Sequence, residues 1–154
     1  MGSGSVVGTW RLVSSDGRSS TGDLIRPYGD APIGLLLYGA DGYMSATLMR
    51  PGRPPFATGD RLRGTPEELR LASEGFLGYS GTYEMDEARG VIVHHVTVAD
   101  FPNIVDTDLI RRFTLENDTL ALETQPVVRA GKTWVFRLVW ARAHSVARPG
   151  GPAR

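Results

Sequence analysis

Apolar and polar residues alternate with a period of two along nearly the whole chain, a pattern that suits half-buried strands and does not suit helices. The last such segment shows it best: Trp134, Phe136, Leu138 and Trp140 interleave with Val135, Arg137, Val139 and Ala141. Turn signals divide the pattern into strands expected near Val6–Ser15, Gly22–Arg26, Ile33–Ala40, Tyr43–Met49, Leu77–Asp86, Val91–Ala99, Thr107–Glu116, Thr119–Gln125 and Lys132–Ala143. About nine antiparallel strands joined in chain order can curl into a closed up-and-down barrel, which removes the exposed edges that an open sheet would carry. The expected fold is therefore all-β, a single closed antiparallel barrel with one short helix. A chain of 154 residues has room for one domain around a ligand-sized cavity and no room for a second. We place the domain at residues 6–143, with flexible tails at 1–5 and 144–154.

The helix is announced by its start. Thr65 suits the N-cap, Pro66 the first helical position and Glu68 the return bond of a capping box, and the helix is expected to run to about Phe76. Leu69, Ala72 and Phe76 would share the face that packs on the barrel or closes one end of it. The Pro-rich stretch from Arg50 to Phe56 reads either as a lid or as a rigid surface connection.

Three hairpins can be registered from their turns. A two-residue turn at Asp41-Gly42 pairs Ala40 with Tyr43, which collects Leu35, Leu37, Met44, Ala46 and Leu48 on the inner face and leaves Tyr38 outside. Pairing Asp86 with Val91 sets Tyr83 opposite His94, with Tyr79, Met85, Ile92, Val96 and Val98 on the same face, and sends His95 outward beside Thr82 and Glu84. Pairing Leu115 with Leu120 turns Phe113, Leu122, Arg111 and Thr124 inward, and sets Arg112 against Glu123 as a surface pair. With Trp10 and Leu12 from the first strand and Trp134, Phe136 and Trp140 from the last, the interior becomes mostly apolar. Tyr83, His94, Arg111 and Thr124 are its few polar members.

Several motifs carry a family resemblance. Gly8-Thr9-Trp10 stands at the head of the first strand, as in lipocalin-type barrels. After it come Arg26-Pro27-Tyr28-Gly29, Asp41-Gly42-Tyr43-Met44-Ser45-Ala46, Gly81-Thr82-Tyr83-Glu84, His94-His95-Val96, Arg111-Arg112-Phe113 and the run from Thr133-Trp134 to Trp140. In this order, from Val6 to Ala143, they resemble the lipocalin-like domain family of bacterial and fungal proteins. The resemblance implies a small calycin-type barrel more firmly than it implies an activity. Catalysis of natural-product cyclisation, including Diels–Alder reactions, enters by analogy with other small barrels at the level of fold.

Charge and composition narrow the partners. With 17 basic and 17 acidic residues the net charge is zero, so no electrostatic footprint favours nucleic acid or an anionic membrane. No apolar run is long enough to span a bilayer as a helix, and no signal-peptide core follows Met1, which together suggest a cytoplasmic protein. The absence of cysteine removes thiolate chemistry and disulfides. His94 and His95 point to opposite faces of one strand and cannot readily share an ion, so no metal is expected, and the glycine-rich turns match no nucleotide-binding fingerprint, so no cofactor is expected.

The expected partner is a small hydrophobic molecule in the lumen, and a homodimer is compatible with such a barrel. The leading expectation is a cofactor-free cyclase or isomerase acting on a natural-product intermediate. His94, Tyr83 and Arg111 would be its catalytic groups, because an imidazole titrates near neutrality and the other two can polarise a carbonyl. Trp10, Leu35, Leu37, Met44, Ala46, Leu48, Tyr79, Phe113, Thr124, Trp134, Phe136 and Trp140 would line the site. The alternative is a non-catalytic carrier, and a third reading is a barrel filled by its own side chains that serves as an interaction domain. Structural roles compete for the polar residues: His94 as a satisfied core histidine, and Arg111 or Arg137 packed over Trp10.

Overall fold

The computed structural model describes residues 5–144; the expected leader and tail lie outside the described residues except for Ser5 and His144. Ten strands form one antiparallel sheet: β1 (Gly8–Ser19), β2 (Leu24–Ile25), β3 (Ile33–Tyr38), β4 (Tyr43–Met49), β5 (Phe76–Asp86), β6 (Val91–Ala99), β7 (Asp108–Glu116), β8 (Thr119–Thr124), β9 (Val127–Arg129) and β10 (Lys132–Arg142). Helix α1 spans Pro66–Glu74, and a 3-10 turn spans Pro102–Ile104. The sheet order β1-β3-β4-β5-β6-β7-β8-β10, closed by pairing of β10 with β1, is an eight-stranded barrel. β2 and β9 are short additions on β1 and β10. β9 and the 3-10 turn are additional to the expected elements, and no described helix is long and apolar enough to cross a membrane.

The helix starts as its sequence dictates. The Thr65 hydroxyl accepts from the Glu68 N–H while the Glu68 carboxylate accepts from the Thr65 N–H, which satisfies two donors that a helix start otherwise leaves open. It ends earlier than expected, at Glu74, because Gly75 terminates it and Phe76 already belongs to β5. Leu69 is exposed and none of the helix is buried. The Pro-rich stretch before it is tied down rather than free: Arg53 donates to the Ala72 carbonyl at 2.9 Å and lies over the Phe76 ring, and Arg50 donates to the Pro27 carbonyl at 2.8 Å.

The second and third hairpins adopt the expected registers, with Tyr83 opposite His94 and Arg111 opposite Thr124. The first does not. Tyr38 pairs with Met44 and Leu36 with Ala46, because Gly39 closes on Tyr43 across the three residues Ala40-Asp41-Gly42. Gly42 takes φ 91° after a turn bonded from its N–H to the Gly39 carbonyl, the three-residue hairpin geometry that ends in a left-handed residue. One extra loop residue rotates β3 by one face. Leu36 and Tyr38 are buried, while Leu35 and Leu37 point outward at 46% and 44% exposure.

Two bulges invert parity elsewhere. In β1 the pairing to β10 shifts between Leu12 and Ser14, so Val13 is extruded and Ser15 turns inward. In β6 it shifts at Thr97, so Val98 faces solvent rather than the lumen. Gly81 makes the second bulge possible, since a Cβ there would collide with the His95 carbonyl.

One end of the barrel is filled. Trp10, Tyr38, Met44, Ile92 and Leu120 are buried there with Val6. Arg142, rather than Arg111 or Arg137, covers Trp10: its guanidinium lies 4.3 Å from the ring centroid and donates to the Val7 and Ser5 carbonyls and to Asp118. The Trp10 indole donates to the Val6 carbonyl at 2.8 Å. On the outside, Glu123 makes its ion pair with Arg137 at 3.4 Å, although Arg112 stands opposite it in β7.

Candidate functional site

The other end is open. A cavity of about 620 Å³ occupies it, within the range of small-molecule sites. The helix end (Ser73, Glu74), Phe101 with the 3-10 turn that follows it (Pro102, Ile104), Tyr28, and Gln125, Pro126, Val127 and Arg129 surround its mouth, and Arg129 lies over the Phe136 ring at 4.8 Å. Leu36, Ala46, Leu48, Leu77, Leu109, Leu122, Leu138 and Trp140 make an apolar wall. Ser15, Tyr79, His94, Arg111 and Thr124 interrupt it with polar groups. A space of this size is at odds with a barrel filled by its own side chains.

Of the expected lining residues, Ala46, Leu48, Tyr79, Thr124, Phe136 and Trp140 border the cavity. Trp10 and Met44 are buried at the filled end, and Phe113 packs against the same core. Trp134 stacks behind Phe136 with centroids 6.5 Å apart. Leu35 and Leu37 face away from the lumen for the loop-length reason given above, and Leu36 stands on the wall in their place. Ser15, Tyr28, Leu36, Leu77 and Leu109 are additional to the expected lining, and Leu138 joins it from the inward face of the last strand; the Ser14-Ser15 break in the alternation of the first strand is the signal for Ser15.

Of the three expected catalytic groups, His94 and Arg111 meet at the cavity and Tyr83 does not. His94 is 1% exposed and borders the cavity. Its Nε2 lies 2.6 Å from the Tyr38 hydroxyl and its Nδ1 2.9 Å from the Tyr79 hydroxyl. Burial, reinforced by the positive charge of Arg111, pushes its pKa down to about 3, so the ring is neutral at pH 7 and both nitrogens are already engaged. Tyr83 is opposite His94 in register but bonds elsewhere: its hydroxyl donates to the Gly39 carbonyl at 2.8 Å and its ring packs on Tyr38 at 4.6 Å. It does not border the cavity, so the partners of His94 are Tyr38 and Tyr79. Tyr38 escaped the sequence because the β3 register hid it.

Arg111 borders the cavity, donates to the Ile110 carbonyl at 3.3 Å and makes no ion pair among the described residues. Tyr79 is held above the ordinary phenol range by burial, with the adjacent Arg111 charge pulling the other way, and is a neutral phenol. The buried Trp140 indole Nε1 finds no hydrogen-bond partner among the described residues. A buried donor left unpaired is costly.

His95 lies on the outer surface as expected. Its Nδ1 is 2.6 Å from Asp108 and its Nε2 3.0 Å from Glu84, and these carboxylates raise its pKa. Both of its nitrogens are committed to carboxylates, of which Asp108 itself borders the cavity.

Comparison with known proteins agrees with this architecture. Residues 7–143 match the family model described as a lipocalin-like domain. The chain is 32% identical over 106 residues to the 4'-hydroxy-3'-methoxypropiophenone carrier protein ppsC of Aspergillus oryzae, an alignment that covers 64% of this chain and 96% of that protein.

Proposed function

The chain belongs to the lipocalin-like domain family, and from that premise we propose that its barrel holds one small, largely apolar molecule as a binding or carrier protein. The observation that carries this reading is the cavity of about 620 Å³, apolar-walled and open at one end of an otherwise filled barrel. Burying an apolar molecule there removes its surface from water, at roughly 25 cal/mol per Å² before the cost of immobilising it. The relative named above carries a phenolic aryl ketone, which makes that compound a rational first ligand. Titration of tryptophan fluorescence with 4'-hydroxy-3'-methoxypropiophenone and with anilinonaphthalene sulfonate is expected to show saturable one-to-one binding. Ala46→Phe, which fills the lumen from β4, is expected to abolish it. Absence of saturable binding by both probes, or binding undiminished in a folded Ala46→Phe barrel, would overturn the proposal.

A second reading, a cofactor-free cyclase or isomerase acting on a natural-product intermediate, is favoured by one observation: Arg111 stands on the cavity wall with no carboxylate partner among the described residues. A fixed cation in a dry site stabilises negative charge developing on a carbonyl oxygen. General acid–base work by His94 is unsuited to this arrangement, because its pKa is pushed down to about 3 and both nitrogens are engaged. In this reading Arg111 with Tyr79 replaces the trio of His94, Tyr83 and Arg111. Conversion of a bound compound that is lost in Arg111→Met would establish it, and recovery of every bound compound unchanged would leave the carrier.

A further inference from the structure

We infer that Tyr79 is the hydroxyl by which the cavity recognises its occupant, donating to the carbonyl oxygen of a neutral, otherwise apolar molecule, and that Tyr38 and His94 behind it leave its proton free for that purpose. The inference rests on the binding reading above and adds which atom reads the ligand.

A neutral imidazole has one N–H and one lone pair, and burial beside Arg111 keeps His94 neutral. Each of its nitrogens faces a tyrosine hydroxyl, so one tyrosine donates to the ring and the other accepts from it. Tyr38 is 1% exposed, does not border the cavity and makes no other side-chain hydrogen bond among the described residues. Were it the acceptor, its own O–H would be buried without a partner, at a cost of roughly 1–3 kcal/mol. Tyr38 therefore donates to Nε2, the ring proton sits on Nδ1, and Nδ1–H donates to the Tyr79 oxygen. That leaves the Tyr79 O–H without an acceptor in the protein, on a residue that borders the cavity. Arg111 stands beside it with donors to offer. A carbonyl oxygen has two lone pairs and can accept from both, and the remaining wall of Leu36, Ala46 and Leu122 offers contacts to an apolar body.

The test compares 2-acetonaphthone with 2-ethylnaphthalene, which share a ring system and differ in the carbonyl. Tyr79→Phe is expected to weaken the ketone roughly 2- to 12-fold, the range of one neutral hydrogen bond, and to leave the hydrocarbon unchanged. Tyr38→Phe alters a side chain outside the cavity, yet it frees the ring to shift its proton to Nε2 and accept from Tyr79. It is therefore expected to weaken the ketone in the same direction. The carbonyl stretch of bound ketone should lie lower in the wild type than in Tyr79→Phe, and nitrogen NMR of the unliganded protein should find the His94 proton on Nδ1. A proton on Nε2, a ketone affinity indifferent to Tyr38→Phe, or equal losses for ketone and hydrocarbon in Tyr79→Phe would overturn the inference. Failure of both compounds to bind the wild-type barrel would instead count against the binding reading itself.

Discussion

Acidification probes the buried imidazole directly. His94 is neutral in the folded protein, with its pKa pushed down from 6.5 to about 3 by burial and by Arg111. In the unfolded chain it takes up a proton below 6.5, so the unfolded state binds more protons across the window between the two values and stability falls as pH falls. The slope approaches 1.4 kcal/mol per pH unit, and from about pH 7 to about pH 5 the loss comes to about 2 kcal/mol. From about pH 6 to about pH 5 this group dominates, because His95 opposes it nearer neutrality and the paired carboxylates enter only in more acidic solution. His95 has a raised pKa from Asp108 and Glu84, so the stability it contributes is lost as pH rises and is fully present below 6.5. Asp23, held at about 2 by Lys132 with Thr21 and Ser19, and Glu67 and Glu68, lowered by Arg70 and by backbone donors respectively, lose theirs only in more acidic solution. Urea unfolding curves at several pH values measure the effect, with His94→Gln as the variant that cannot titrate. Carbon NMR of the ring, which should stay neutral in the folded protein throughout the window, gives a readout that does not depend on the variant folding. A wild-type stability flat across the window, an equal slope in a folded His94→Gln protein, or a ring that protonates in the native state near pH 6 would refute the reasoning.

Two further outcomes test the framework around the site. Trp10→Ala is expected to destabilise the barrel by roughly 3–5 kcal/mol, the range for deleting a large buried aromatic, because it removes the ring under Arg142 and its bond to the Val6 carbonyl; chemical denaturation measures it, and a variant of native stability contradicts it. Gly81→Ala is expected to cost several kcal/mol, as overpacking against backbone does, since the added carbon meets the His95 carbonyl; a thermal midpoint equal to wild type would show that the bulge can open at little cost.

The parts of this molecule that were legible in sequence are those in which local chemistry and burial agree. Thr65, Pro66 and Glu68 locate a helix start without help from the rest of the chain, and the hairpins around Ala88 and Asn117 have flanking strands whose alternation permits one register. The run Gly34-Leu35-Leu36-Leu37-Tyr38 is apolar on both faces, so alternation cannot arbitrate, and Asp41-Gly42 suits a two-residue loop as well as the end of a three-residue one. The choice falls to packing: Tyr38 inside finds His94, and Leu37 outside is the concession. Bulges at Val13 and Thr97 are hidden for a similar reason, because one extruded residue changes the facing of its successors without changing composition. Ser15 and Val98 are the two positions affected. The placement of Arg142 over Trp10, rather than Arg111 or Arg137, depends on barrel closure, which brings the last strand beside the first.

That closure also orders the assembly of the fold. The pairs β3–β4, β5–β6 and β7–β8 join neighbours across short turns, while the seam joins Trp10 to Arg142 and Leu12 to Trp140 from opposite ends of the sequence. Contacts of such large separation carry the greatest loop-closure entropy and slow the folding of β-proteins. The seam is then expected to close last, and a chain caught before it would present Trp10 and Trp140 on two unpaired edges, open to self-association. Arg142 acts as a latch on that seam. Its replacement is expected to accelerate the unfolding limb of a chevron and leave the folding limb unmoved, because contacts made after the transition state govern how long a barrel stays shut.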